Sequence, residues 1–192
     1  MSHPRPHTGR RRNEATHQAI LDAALRLLGE SAGAAVTIDA IARAAGVGKQ
    51  TVYRWWPSKG ALLLDALTER SQLQVPTPDT GSVRADLHAI IAATFRGAQE
   101  PSTAPALRTL LRESAQDPHL AELLQTFTAQ RRDAVHAVLV RGQQRGEIAA
   151  DADLSLMVDE FYGVFWYRFF LGHAPIDDGV AERLTDSILG RE

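Results

Sequence analysis

The feature that most constrains this chain is a pair of short apolar segments within residues 37–59, separated by a turn that contains glycine. In the first segment, apolar residues recur at the spacing of one helix face: Ile38, Ile41, Ala42 and Ala45. Gly46 is placed to end that helix, and in the second segment Val52 and Trp56 can both face inward. Two short helices joined in this way are typical of a helix-turn-helix.

The second segment also carries hydrogen-bonding side chains that its apolar residues leave on the outside: Lys49, Gln50, Thr51, Tyr53 and Arg54. We expect this helix to span about residues 48–55 and to enter the major groove of DNA. Lys49 could reach a phosphate or a guanine, Gln50 could pair with adenine, and Thr51 offers a methyl group to thymine. A solvent-exposed helix surface is the alternative interpretation.

Charge is distributed unevenly along the 192 residues, whose formal net charge is −2. Residues 1–60 hold nine basic and four acidic residues, whereas the remainder holds twelve basic and nineteen acidic residues. A polyanion is therefore attracted to the first third of the chain. Residues 1–12 contain four arginines, two prolines and a glycine, and they predict a disordered basic arm. Such an arm can follow the DNA backbone or enter the minor groove, and a solubilising tail is the alternative.

The residues of this region stand in a recognisable order: Thr37, Gly46, Tyr53 and the sequence Pro57-Ser58-Lys59. Over about residues 13–68, that order resembles the DNA-binding end of TetR-family transcriptional regulators. The resemblance implies that Tyr53, Trp55 and Lys59 contact phosphates. It also implies that Thr37 both caps the first of the two helices and donates to the DNA backbone.

Two positions depart from the family pattern. Trp55 stands where the family often has His or Tyr, although its indole N–H can still donate to a phosphate. Gly60 replaces a frequent Glu, which we expect to weaken the N-terminal cap of the fourth helix. Trp56 agrees with the pattern, and the resemblance implies that it anchors the second helix in the core.

Apolar periodicity stays helical along the rest of the chain, with no strand alternation and no internal repeat. We therefore predict an all-α fold of about nine helices, in which a three-helix helix-turn-helix domain precedes a C-terminal helical bundle domain. The predicted domains cover residues 13–73 and 74–192, and a turn-forming stretch at residues 75–82 marks their boundary. The first helix is expected to start at Asn13. The seventh is expected to start at Pro118, with Asp117 as its cap.

Composition excludes several classes of protein. The chain has no cysteine, which excludes disulfides, thiolate metal sites and a cysteine nucleophile. No apolar run approaches the roughly 18 residues of a membrane span, and no secretory leader is evident, so we expect a cytoplasmic protein without membrane contact. The seven histidines are scattered, and no catalytic sequence motif is present. We predict no enzymatic activity, no cofactor and no metal site.

The predicted eighth helix is apolar around nearly its whole circumference, so both its own domain and a second chain or a ligand must cover it. One recognition helix reads too few base pairs for genomic specificity, which predicts a symmetric homodimer on an inverted-repeat operator. The expected interface is formed by the eighth and ninth helices. The family resemblance implies the same interface, in which these two helices of each chain form a four-helix bundle. Packing within one domain is the alternative. The ninth helix carries one stripe for this purpose: Val180, Leu184, Ser187 and Ile188.

The family resemblance also implies a small-molecule pocket in the C-terminal domain, whose occupation releases the operator. An effector can do this only by binding the DNA-incompetent arrangement more tightly. The candidate ligand-binding residues are mostly aromatic and favour an apolar or aromatic effector: Phe95, Leu111, Phe127, Tyr162, Phe165, Trp166 and Phe169. Each of them could instead belong to the core or to the dimer interface.

These features predict a sequence-specific DNA-binding transcriptional regulator, a repressor that a small-molecule effector releases from its operator. A helical enzyme or lipid-binding bundle that retains an unused helix-turn-helix is one alternative. A nonspecific DNA-compacting protein is another, and it would bind unrelated duplexes within about tenfold of its best site.

Overall fold

A computed structural model describes residues 8–30, 36–74 and 78–190 of the chain. The regular structure in these ranges consists of nine helices: α1 Thr8–Glu30, α2 Ile38–Ala44, α3 Lys49–Tyr53, α4 Lys59–Gln74, α5 Val83–Gln99, α6 Thr103–Ser114, α7 Pro118–Gln144, α8 Leu154–Leu171 and α9 Asp178–Leu189. The same ranges contain no strand, which confirms the predicted all-α class and the expected number of helices.

Helix α1 begins at Thr8, earlier than the predicted start at Asn13. Residues 8–12, the last part of the predicted disordered arm, are therefore the first turns of this helix. The rest of the predicted arm, residues 1–7, lies outside the described residues. The start was misplaced because residues 8–12 carry no apolar side chain from which a helical periodicity could be read.

Tertiary contacts divide the chain into two compact units, each made of two separate stretches of sequence. The first unit comprises Met1–Glu69 and Pro101–Leu124, and the second comprises Arg70–Glu100 and Gln125–Glu192. This division differs from the predicted boundary at residue 73, because α6 and the start of α7 belong to the unit of the helix-turn-helix. Periodicity locates a helix along the chain but does not reveal its packing partner.

In the first unit, α1 packs on both α2 and α6. Its core contains large fully buried side chains from α1, α2, α4, α6 and α7: Ile20, Leu21, Ile41, Leu62, Leu63, Leu110 and Leu120. Pro118 is the first residue of α7, and Asp117 Oδ1 accepts a hydrogen bond from Leu120 N at 3.1 Å. This contact confirms the predicted start of the seventh helix.

In the second unit, α9 packs chiefly on α5. Val180, Leu184 and Ile188 are buried, whereas Ser187 is exposed. Two ion pairs also join these helices: Arg84–Asp186 and Arg96–Asp178. The prediction that the apolar face of α9 awaits a second chain is therefore wrong for these three residues. An amphipathic stripe shows that a helix face is covered, but not whether the cover comes from the same chain.

Gly142 on α7 lies so close to α5 that a β-carbon there would be 2.5 Å from Val83 Cγ2 and 2.7 Å from Val83 Cβ. Val83 is buried, and its Cβ cannot move aside without a shift of α5. We expect Gly142→Ala to lower the free energy of unfolding by about 1–3 kcal/mol through overpacking. This loss would occur although alanine normally stabilises a helix by about 1 kcal/mol relative to glycine.

Urea unfolding monitored by circular dichroism measures this difference. Gly29→Ala is the matched control, because the nearest atom to a β-carbon at Gly29 would be Ser102 N at 3.6 Å, an ordinary contact distance. The control is expected to be neutral or slightly stabilising. If Gly142→Ala left the unfolding midpoint unchanged, the close approach of α5 and α7 would be refuted.

Candidate nucleic-acid interface

The helix-turn-helix consists of α2, the turn that follows it, and α3. Thr37 precedes α2 in an extended conformation, and its Oγ1 accepts a hydrogen bond from Ala40 N at 3.2 Å. This bond confirms the predicted cap. Gly46 has a φ of +68°, in the left-handed region that glycine adopts readily, and it redirects the chain toward α3. Thr37 is exposed at the start of α2, so its predicted contact with the DNA backbone is sterically open.

Helix α3 turns one apolar side chain inward and its polar side chains outward. Val52 is completely buried, whereas Lys49 and Gln50 are exposed and Thr51 is half-buried. Tyr53 keeps 46% of its surface exposed, a large fraction for an aromatic residue. The face predicted to read DNA is therefore the face that the protein leaves uncovered.

Helix α3 ends at Tyr53, earlier than the predicted end near Trp55. The backbone N–H groups of Trp55 and Trp56 both donate to Val52 O at 3.0 Å, so the chain tightens into a turn at this point. Trp55 consequently lies beyond the recognition helix. Its predicted phosphate contact would come from the turn and not from α3.

The side chain of Lys49 is engaged on both sides in the free protein. Its Nζ lies 3.1 Å from Asp39 Oδ1 in α2 and 5.9 Å from the centre of the Tyr53 ring. The hydrogen bond and charge of Asp39 raise the pKa of Lys49 above its usual value. Lys49 is therefore a cation, and its amine is held at the junction of the two helices.

A cluster of rings anchors the end of α3 to the rest of the first unit. Trp56 is 4% exposed, as the family resemblance implied, and its Nε1 donates to Asp65 Oδ2 in α4 at 2.9 Å. The His17 ring of α1 lies 4.5 Å from the Trp55 ring and 4.7 Å from the Trp56 ring. Asp65 also contacts His17 Nε2 at 3.3 Å. Trp55 is thus half-buried against His17, a packing role that sequence reasoning did not anticipate.

Lys59, the predicted phosphate contact at the start of α4, makes an ion pair with Glu113 of α6. The distance between Lys59 Nζ and Glu113 Oε1 is 2.8 Å, and the two side chains are 25% and 31% exposed. Sequence reasoning missed Glu113, since the two residues are far apart in the chain and no local pattern links them.

Gly60 has a packing role instead of a capping one. Ser58 Oγ accepts a hydrogen bond from Ala61 N at 3.1 Å and so caps α4. A β-carbon at Gly60 would overlap with Leu120 Cδ2 of α7 and would lie 3.1 Å from Leu120 Cδ1. The glycine that departs from the family pattern therefore permits α4 to approach α7 closely.

The predicted ligand-binding residues fall in both units. Leu111 lies half-buried on α6 in the first unit, and the six aromatic residues lie in the second. Phe95, Phe165 and Phe169 are buried, and the centroid of the Phe165 ring lies 6.0 Å from that of Phe95 and 5.7 Å from that of Phe169. The remaining three are partly or almost wholly buried: Phe127, Tyr162 and Trp166.

Arg131 of α7 is a polar group in this aromatic region that sequence reasoning did not select. The Tyr162 hydroxyl donates to Arg131 O at 3.1 Å. Burial raises the pKa of Tyr162, and the positive charge of Arg131 opposes that rise. Arg131 Nη2 is buried, and the described part of the chain gives it no hydrogen-bond partner. A guanidinium cannot lose its charge, so this N–H remains available to an acceptor.

One exposed face of α8 is rich in large apolar side chains, although Glu160 lies among them. It carries four large side chains that keep between 48% and 63% of their surface accessible: Leu156, Tyr167, Phe170 and Leu171. Gly163 lies on the same exposed side, and a β-carbon there would meet nothing within 4 Å. The opposite side of α8 packs into the second unit through Phe161 and Phe165. The helix is thus half covered by its own unit, as its all-round apolar character required.

A cleft of about 500 Å³ lies between α5 and α9, and the side chains of Arg84, His88 and Glu182 are among those that line it. The predicted ligand-binding residues do not line it. Within the ranges that the structure covers, acidic and histidine side chains form no cluster suited to a metal ion. No helix in those ranges is long and apolar enough to cross a membrane.

The fold and the exposed α3 face together define a helix-turn-helix DNA-binding protein with a second, helical unit. Comparison with known proteins identifies the family. Residues 20–66 match the family described as bacterial regulatory proteins, tetR family, and residues 77–188 match the family described as tetracyclin repressor-like, C-terminal domain. The chain belongs to the TetR family of transcriptional regulators.

Two relatives and one solved structure are similar to this chain over nearly its whole length. The HTH-type transcriptional regulator YdeS of Bacillus subtilis is 36% identical over 180 residues, covering 92% of this chain and 89% of its own. The DNA-binding transcriptional repressor TetR of Mycobacteroides abscessus is 31% identical, with coverages of 93% and 94%. The solved TetR family transcription regulator SCO0332 is 32% identical with a TM-score of 0.77, and the coverages are 91% and 96%. The chain is accordingly a DNA-binding transcriptional regulator.

Proposed function

We propose that this regulator is a cytoplasmic repressor that binds an inverted-repeat operator as a homodimer and leaves it when a small-molecule effector binds. The observation that supports this most is the polar face of α3, which stays uncovered while Val52 anchors the helix. We assign DNA contact to four residues of α3 and to three residues outside it: Lys49, Gln50, Thr51 and Tyr53, with Thr37, Trp55 and Lys59.

The proposed dimer forms through the exposed face of α8, with α9 beside it. Burial of exposed side chains such as Tyr167 and Leu171 against a second chain would stabilise the dimer, because it removes apolar surface from water. Gly163 on the same side would let two α8 helices approach closely. Because the apolar residues of α9 are buried within the second unit, α9 would contribute its exposed polar side chains, including Glu182 and Arg183.

The proposed effector site lies in the second unit, among the aromatic residues of α5, α7 and α8. An apolar or aromatic body would contact Phe95, Phe127 and Phe165, and the other candidates there are Tyr162, Trp166 and Phe169. The unpaired Nη2 of Arg131 supports an effector that also carries a hydrogen-bond acceptor, because an unmade bond of a buried cation is costly. Leu111, in the first unit, is left out of this site.

Selection of bound fragments from a random duplex library tests the proposal. The expected product is an inverted repeat whose half-site centres lie about 34–36 Å apart, or a multiple of that distance. Its affinity should exceed that of an unrelated duplex by on the order of a thousandfold. Enrichment without symmetry, or affinities within about tenfold of each other, would favour nonspecific DNA compaction. Binding of no duplex at all would favour a bundle with an unused helix-turn-helix.

A further inference from the structure

The ion pair between Lys59 and Glu113 places a carboxylate where a DNA phosphate would have to bind. We propose that Glu113 competes with the DNA backbone for Lys59, so that each binding event exchanges a carboxylate for a phosphate at the start of α4. Glu113 thereby sets the affinity of the regulator without touching DNA. This inference rests on the proposed phosphate contact of Lys59.

Packing in the first unit fixes the geometry of this pair. Ser58 caps α4, and Gly60 brings the first turn of α4 against Leu120 of α7. Leu120 is only 1% exposed, so it is part of the core against which this turn packs. The cap and this packing place the backbone of Lys59 at the start of α4, from which its side chain forms the 2.8 Å contact with Glu113.

Carboxylate and phosphate oxygens are equivalent acceptors for an ammonium group. Lys59 has three N–H donors and a side chain that is 25% exposed, so a phosphate can reach the amine from solvent. A carboxylate this close repels an approaching phosphate and already satisfies one donor. For the full attraction of Lys59 to reach DNA, the bond to Glu113 must break or lengthen.

Other cations of the helix-turn-helix differ from Lys59 in this respect. Arg43 and Arg54 are exposed, and neither has an ion-pair partner in the part of the chain that the structure describes. The pair of Lys49 with Asp39 is more exposed, at 49% and 60%, so solvent screens it more strongly. The competition is therefore concentrated at Lys59, and a shift of α6 relative to α4 would change the charge that DNA meets there.

Glu113→Gln removes the charge while keeping the size of the side chain. The probe is the inverted-repeat duplex selected above, with about 30 base pairs, or three helical turns, and binding is measured by fluorescence anisotropy. We expect Glu113→Gln to bind this probe about threefold to tenfold more tightly than the natural chain does. Glu30→Gln is the matched control, since Glu30 belongs to the same unit and pairs with Arg26 instead. Its affinity is expected to change by less than about twofold.

A double-mutant cycle assigns the effect to the pair. In a Lys59→Gln background, Glu113→Gln should leave the affinity unchanged, because the cation for which it competes is gone. A gain that persists in this background would show a general effect of charge and would overturn the proposal. Weaker binding by Glu113→Gln alone would also overturn it, because Glu113 would then position Lys59 for DNA. Unchanged binding would overturn it as well, because Glu113 would then have no effect on the affinity for DNA. Binding of no duplex by the natural chain would instead refute the proposed function.

Discussion

A protein with Lys49→Ala and Tyr53→Ala is expected to bind the selected inverted repeat at least about a hundredfold more weakly than the natural chain. A hydrogen bond to a charged group such as a phosphate contributes about 1.5–3 kcal/mol, and a dimer loses both side chains in both half-sites. Because a difference of about 1.4 kcal/mol is a factor of ten, a hundredfold loss is a conservative expectation. Fluorescence anisotropy against the same duplex measures it.

The fold should survive this double substitution. Tyr53 and Lys49 are exposed, so their removal creates no cavity, and the midpoint of thermal unfolding should change by no more than a few degrees. Arg26→Ala provides a control that removes a cation of the same unit from α1. If the double variant bound DNA as well as the control does, α3 would not be the reading helix.

The second large effect is expected on the exposed face of α8. Tyr167→Glu combined with Leu171→Glu should convert the dimer into a folded monomer. Each glutamate would have to be buried without a partner at the proposed interface, and an unpaired buried charge costs about 3–5 kcal/mol. The dimer dissociation constant should therefore rise by at least about a thousandfold, given about 1.4 kcal/mol per factor of ten.

Sedimentation velocity and circular dichroism separate loss of assembly from loss of fold. Both side chains are exposed in the single chain, at 60% and 63%, so helix content should be retained. Ala129→Glu introduces one glutamate at an exposed position of α7 in the same unit, and this variant should remain dimeric. A dimer that persists with both glutamates in α8 would place the interface elsewhere.

Sequence information was sufficient where a structural feature depends on neighbouring residues. The cap at Thr37 and the start of α7 after Asp117 follow from side chains within three residues of the helix ends. The inward position of Val52 likewise follows from its spacing in a short amphipathic segment.

Sequence information failed where the deciding partner is distant along the chain. No sequence pattern near Lys59 predicts its contact with Glu113, and none near Trp55 predicts the His17 ring that packs on it. The same limit explains the wrong prediction for α9. Its apolar face is buried beside α5, and the sequence pattern alone does not distinguish such a face from one that meets a second chain. It also explains why Arg131 was not selected from the sequence, because an unpaired N–H becomes evident only when its surroundings are known.

The burial of the apolar face of α9 beside α5 has a consequence for how the regulator exists at low abundance. A protomer completes that part of its core alone, so its folding there requires no encounter with another copy. Dilution below the association threshold would then yield intact single molecules and not denatured chains. Occupancy of a promoter by such a protein would rise steeply with its cellular concentration, because two folded protomers must associate before they bind DNA.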